Sequence, residues 1–190
     1  MFSLRTVRQA AFLFVALAGT AQAQSGLLSN AATVTLSATK QASLTITINS
    51  GGTQTMTTLT DNVTNSFATP VNITTSWDIN PSASAVALVG HFSNPAQALA
   101  NGSDFISSSL VRARLGTSGA FNPFTGAAVT GGASSVGVAG GTLALFTQAI
   151  TGVNRRANRT DDLYLQIDLT GQTVSAGTYA GTLNLRAITQ

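Results

Sequence analysis

Apolar and polar residues alternate with a period of two through most of this chain, in runs that are short and sharply bounded. In 43–49, Leu44, Ile46 and Ile48 alternate with Thr45 and Thr47, and the run stops at Ser50-Gly51-Gly52. Residues 69–80 carry a longer run: Val71, Ile73, Thr75, Trp77 and Ile79 form one row against Asn72, Thr74, Ser76 and Asp78, and Pro81 closes it. Toward the C-terminus, in 162–188, Leu163, Leu165, Ile167 and Leu169 oppose Tyr164, Gln166 and Asp168. Beyond a Gly/Ser turn, Tyr179, Leu183, Leu185 and Ala187 oppose Thr182, Asn184 and Arg186. Successive side chains of a strand point to opposite faces, so these runs predict half-buried β-strands. The last two are predicted to pair as a closing hairpin.

Weaker runs fill the spaces between them. Residues 31–38 set Val34 and Leu36 against Thr33 and Thr35, which predicts a short first strand, and Met56 and Leu59 mark a fainter one. Residues 83–92 and 142–150 have strand character, and 110–115 with 121–124 flank Gly116-Thr-Ser-Gly119 as a hairpin does. The one helical signal lies in 94–102: Asn94 suits a cap, Pro95 a first helical position and Gly102 a stop, for one or two turns. Residues 126–141 contain only small or apolar uncharged side chains and predict a long flexible loop. Eight or nine short strands and at most one short helix predict an all-β fold, an antiparallel β-sandwich of immunoglobulin-like or related Greek-key topology.

The N-terminus is read differently. Residues 1–23 combine basic Arg5 and Arg8, an apolar stretch and Ala21-Gln22-Ala23, the three parts of a cleavable secretory signal. The predicted mature chain is 24–190, a single domain with the Gly-rich loop 126–141, and no later stretch reaches the roughly 20 apolar residues of a membrane span. Without Arg5 and Arg8, seven basic residues face six Asp, a net charge of +1, so the basic balance of the full chain gives no ground for a nucleic-acid partner. There is one Lys and no Glu, with Thr, Ser and Asn where charge usually sits, as suits the outer faces of strands. The absence of Cys rules out a disulfide, a thiolate metal site and a lipid-bearing cysteine.

Candidate chemistry is sparse. His91 is the one residue able to act as the base of a serine hydrolase, and no Gly-x-Ser-x-Gly elbow accompanies it. A two-carboxylate glycosidase would have to use Asp pairs, and Asp161-Asp162 are sequence neighbours at the mouth of a strand, where they are expected to point in different directions. Asp104, Asp161 and Asp162 are the oxygen ligands available to calcium, without EF-hand spacing. Arg155, Arg156 and Arg159 are candidates to hold an anionic ligand from a loop; a polar loop whose Arg are balanced by Asp161 and Asp162 is the competing reading. Trp77 reads as a core residue, and as the alternative a stacking platform of Trp77, Tyr164 and Tyr179 would make a secreted carbohydrate-binding module. These residues point away from an enzyme and from any cofactor.

The ending Ser175-Ala-Gly-Thr-Tyr-Ala-Gly-Thr-Leu-Asn-Leu-Arg186 resembles the terminal strand of bacterial secreted pilin-related β-sandwich proteins, the spore coat protein U-like and fimbrial-subunit-like proteins. Ala-Thr-Val-Thr-Leu-Ser-Ala38 and Ser43-Leu-Thr-Ile-Thr-Ile48 resemble their first strands, whereas the Cys pair common in such subunits is missing and the Gly-rich insert is unfamiliar. The resemblance implies an exported, non-enzymatic structural or surface protein, found outside the cell, at its surface or in the periplasm. Such a protein assembles by strand addition into a pilus or coat, with itself or other surface subunits, and is served by a periplasmic chaperone. The corresponding donor is the segment 24–38, with Val34 and Leu36 as its alternating knobs; the alternative is that the same segment folds back as the chain's own edge strand.

Overall fold

The structure is a computed structural model that describes residues 30–80 and 82–190; the expected signal segment 1–23 lies outside the described residues. Residues Lys40–Gln190 form one compact unit. The preceding described residues, 30–39, carry no strand, so the first strand expected at 31–38 is not formed. Thr33, Thr35 and Ser37 do alternate with Val34 and Leu36, but period two creates a strand only where a neighbouring strand takes up the backbone bonds.

Thirteen strands follow in order. They are β1 (Ser43–Ser50), β2 (Thr64–Ser66), β3 (Val71–Asp78), β4 (Ala85–His91), β5 (Leu99–Asn101), β6 (Asp104–Ile106) and β7 (Val111–Leu115), then β8 (Asn122–Pro123), β9 (Val129–Gly131), β10 (Ser134–Val136), β11 (Thr142–Ala149), β12 (Arg156–Asp168) and β13 (Asn184–Thr189). One large sheet has the order β1-β3-β12-β7-β8, with β2 continuing along the β3 side of β12, and a second has the order β11-β4-β13. All pairings are antiparallel. The fold is therefore the all-β sandwich expected from the alternation. The helical signal yields a single 3-10 turn, Pro95–Gln97, in which Asn94 caps by accepting from the Ala96 amide at 3.2 Å.

The inner faces make one core. Val71, Ile73 and Trp77 of β3 and Leu163, Leu165 and Ile167 of β12 meet Val86 and Leu88 of β4. Trp77 is buried, and its indole N–H donates to the Asn154 carbonyl at 2.8 Å, so the polar end of the ring is satisfied as burial demands. Gly90 on β4 gives room to an aromatic pair: a Cβ there would stand 2.9 Å from Phe124, whose ring meets Phe92 edge-on at 5.2 Å.

Two further expectations are corrected. The two C-terminal runs do not form a hairpin: β12 lies in the large sheet and β13 in the other, bonded to β4. Hairpin loops are a few residues long, whereas the whole segment 169–183 separates these strands, enough to cross from one layer to the other. There the two apolar rows face each other across the core instead of lying side by side. The second correction concerns 126–141, which is not a flexible loop. It contains the hairpin β9–β10, whose Val129 and Val136 pack on Ala87, Val89 and Ile188, the outer face of the small sheet. Polar pins hold it: the buried Thr142 hydroxyl donates to the Val138 carbonyl at 2.7 Å and accepts from its amide at 2.8 Å, and Ser108 donates to the Gly140 carbonyl at 2.8 Å. Strand β4 is thus covered on both faces, which accounts for its nearly unbroken run of buried residues.

Gly131 allows that close approach, because a Cβ there would run into the Thr189 carbonyl oxygen. Gly131→Val is expected to lift the hairpin from the small sheet and lower stability by about 1–3 kcal/mol. Gly152→Ala, where an added Cβ meets nothing, should stay within about 0.5 kcal/mol of the parent. Urea denaturation followed by Trp77 fluorescence checks both.

Candidate functional site

The connection between β12 and β13 builds one wall of a groove. Residues 177–183 run extended along β5, tied to it by a two-bond bridge in which Ala100 and Ala180 exchange N–H···O bonds of 2.9 and 3.0 Å. The Gly-Thr-Tyr-Ala-Gly spacing makes this possible. A Cβ on Gly177 (φ +152°) would collide with Asn101, and one on Gly181 with the Ala98 carbonyl, so both positions need glycine for the segment to lie against β5. The opposite wall is the segment 52–59, which leaves β1 where its register with β3 slips between Ile48 and Ser50 and where Gly51 turns at φ +72°. Gln54, Met56 and Leu59 point partly inward from it. Between the walls lies a groove of about 580 Å³, floored by core residues of the large sheet, Val71, Val111, Leu163, Leu165 and Ile167, with Leu183 and Leu185 at its far side.

The backbone bordering the groove is unpaired. Ala180 turns its N–H and C=O toward β5, and Gln190 accepts from Ala85 and donates to it on the β4 side. Peptide groups alternate sides along a strand, so those of Tyr179, Gly181, Leu183, Leu185 and Ala187 project toward the free edge. On β1, Ser43, Thr45 and Thr47 stand opposite Asp78, Ser76 and Thr74 of β3. The peptide groups of Leu44, Ile46 and Ile48 therefore face away from β3, again toward a free edge. Among the described residues, 53–59 make no backbone–backbone hydrogen bond.

No lining residue is a carboxylate, imidazole, lysine or arginine. The volume is that of a small-molecule site, and the polar side chains in its lining are Gln54, Tyr179 and the threonines Thr55, Thr57, Thr178 and Thr182. Gln54 is engaged with the Gly51 carbonyl at 2.8 Å, and the Tyr179 hydroxyl donates to the Ser175 carbonyl at 3.1 Å. Such a groove offers apolar pockets and backbone bonds, the two things an added strand uses.

The residues singled out in the sequence do not converge. Val34 and Leu36 are 81% and 90% exposed in the extended segment 30–39. Arg156 and Arg159 stand in strand β12 rather than in a loop, on opposite faces. Arg156 points outward, 3.9 Å from Asp78, and Arg159 points inward to a bidentate pair with Asp161, both bonds 2.6 Å, while Arg155 is exposed. The three guanidinium groups thus form no common anion cradle. Asp162 points outward and accepts from Asn72 at 2.6 Å. Among the described residues no group of three or more carboxylate or imidazole side chains is placed to share a metal ion. Trp77 is buried, Tyr179 sits in the groove wall and Tyr164 stacks with Arg114 on the outer face of the large sheet, so the three aromatics share no platform. Comparison with protein-family models, curated proteins and solved structures finds no significant match to this chain.

Reasoning from the sequence missed the groove because it took both walls for strands, 177–183 as the start of the last alternating run and Met56 with Leu59 as a fainter one, whereas neither segment is a strand. The available signals were Gly51-Gly52 after β1 and the length of the 169–183 connection.

His91, the one histidine, closes β4 between Thr142 and Asn184. Burial first, and the charge of Arg186 second, hold its imidazole below the usual 6.5. The folded state favours the neutral ring, so this contribution to stability is complete above pH 6.5 and is lost as pH falls from there through the lowered folded value. Urea midpoints are expected to drop between pH 7.5 and 5 in the parent and to drop less in His91→Gln; equal slopes would count against this assignment.

Proposed function

We propose that this protein is an exported, non-enzymatic structural subunit that assembles by β-strand addition, its groove receiving an extended segment of another copy. One observation carries the reading: an uncharged groove opens over the core residues of the large sheet, walled by 52–59 and by 177–183, whose backbone is largely unpaired. An inserted strand would bond to an edge and drop alternate side chains onto Val71, Leu163 and Leu165. The segment 24–38 is the proposed donor. Residues two apart in a strand lie about 6.8 Å apart on one face, so Val34 and Leu36 present two successive knobs, and burying each contributes about 1.5–3 kcal/mol.

The same physics explains why such a subunit needs a partner before it assembles. An open groove with unpaired edges is an aggregation hazard, and a periplasmic chaperone lending a strand covers it during export. The resemblance of 175–186 to the final strand of pilin-related sandwiches supports the reading, as do the predicted signal 1–23 and the lack of charged chemistry in the groove. Among the described residues, no helix is long and apolar enough to cross a membrane.

The test is Val34→Asp with Leu36→Asp in the exported full chain. Because both side chains are exposed, the double variant is expected to keep the parent's unfolding midpoint while losing the SDS-resistant, heat-labile ladder of multimers. The expected weakening of assembly is at least 100-fold, about 2.7 kcal/mol. A parent that stays monomeric, with the amides around Val34 and Leu36 protected from exchange within one chain, would overturn the proposal.

A further inference from the structure

The sandwich has a second seam, on the side away from the groove, where the N-terminal half of β12 meets β11 of the other sheet. Strand β12 changes character along its length. Its C-terminal half lies between β3/β2 and β7, but β7 reaches only from Leu163 to Ile167. The carbonyls of Arg155 and Leu165 accept from Ile79 and Phe67 on the β3/β2 side, and that of Asp162 accepts from Gly116 on the other, at 2.8 Å. By strand alternation the peptide groups of Arg156, Asn158 and Thr160 project on the Asp162 side, where among the described residues nothing pairs with them. This is a free edge six residues long, with the sequence Arg-Ala-Asn-Arg-Thr-Asp.

What distinguishes it from the groove is the inward row. Arg159 and Asp161 share the face of Leu163 and Leu165, the face that points between the sheets. Arg159 lies over the Phe146 ring of β11 at 4.1 Å and grips Asp161 through two 2.6 Å bonds, with side chains 35% and 14% exposed. Opposite Arg159 on β3, Thr75 is buried with its hydroxyl unpartnered. A partly buried ion pair recovers little stability after desolvation, and apolar replacements of such pairs are often neutral or stabilising. Stability therefore does not account for charge at these two positions. Control of the edge does, because a strand laid beside β12 would bring its own inward side chains against a guanidinium and a carboxylate and desolvate them.

We propose that Arg159 and Asp161 guard the free edge of β12, keeping it from accepting a strand of a second copy. This inference is independent of what fills the groove.

The test compares two full-length chains that both carry Val34→Asp and Leu36→Asp, one of them also Arg159→Val and Asp161→Val. The valine chain is expected to be no less resistant to urea, to self-associate at a concentration at least tenfold lower in sedimentation velocity, and to gain hydrogen-exchange protection at the Asn158 and Thr160 amides. A folded valine chain with unchanged sedimentation, or one that associates without protecting those two amides, overturns the proposal. Should the valine pair not fold, Arg159→Thr with Asp161→Thr removes the charges without adding large apolar groups and carries the same expectation. A further check uses the parent alone: the Asn158 and Thr160 amides should exchange fast at every concentration and in any assembled form, and protection there overturns the guard.

Discussion

The inward row of β12 decides most of this molecule. Leu163, Leu165 and Ile167 carry the core from the large sheet toward β4, and because β12 bonds to β2, β3 and β7 at once, the positions of all three depend on it. At Asp161 and Arg159 the same row turns from aliphatic to charged, at the point where β7 stops. A strand paired on both edges can bury a full hydrophobic face, while a strand with an open edge that did so would invite further pairing. One strand meets both conditions by changing its inward residues partway along.

The two seams of the sandwich then differ for a physical reason. At the β11/β12 seam, Arg159 spans from one sheet to the aromatic ring of the other, and its carboxylate partner stands beside it. At the β1/β13 seam no charged side chain enters, and the bordering segments 52–59 and 177–183 contribute glycines, threonines and a few apolar groups. Unpaired peptide groups border both, so backbone availability alone does not separate an acceptor from a closed edge. The polarity of the inward side chains does.

Much of this was legible in the sequence, and where it was not, the cause is specific. Period two reports which face a residue takes, so β1, β3, β4, β7 and β11 could be read within a residue or two, with Trp77 in the core, whereas β12 was read only from 162 onward because its polar first half, 156–161, looks like a loop. The period does not report which strand lies alongside, which is why β12 and β13, both alternating and adjacent in the chain, were paired with each other although they belong to different sheets. Val34 and Leu36 show the converse: their alternation is as regular as that of Leu44 and Ile46, yet 30–39 forms no strand, because a strand exists only with a neighbour. In 126–141 composition misled, since small residues suggest mobility when read alone, whereas here Gly131 and Gly137 permit contact with Thr189 and Thr142 that larger side chains would block.

Glycine placement links these points to the candidate site. Gly177 and Gly181 let the Gly-Thr-Tyr-Ala-Gly segment lie on β5 through the Ala100–Ala180 bridge, and that contact makes the segment a wall of the groove. Residues that first read as a turn leading into a strand are therefore the ones that hold the groove open.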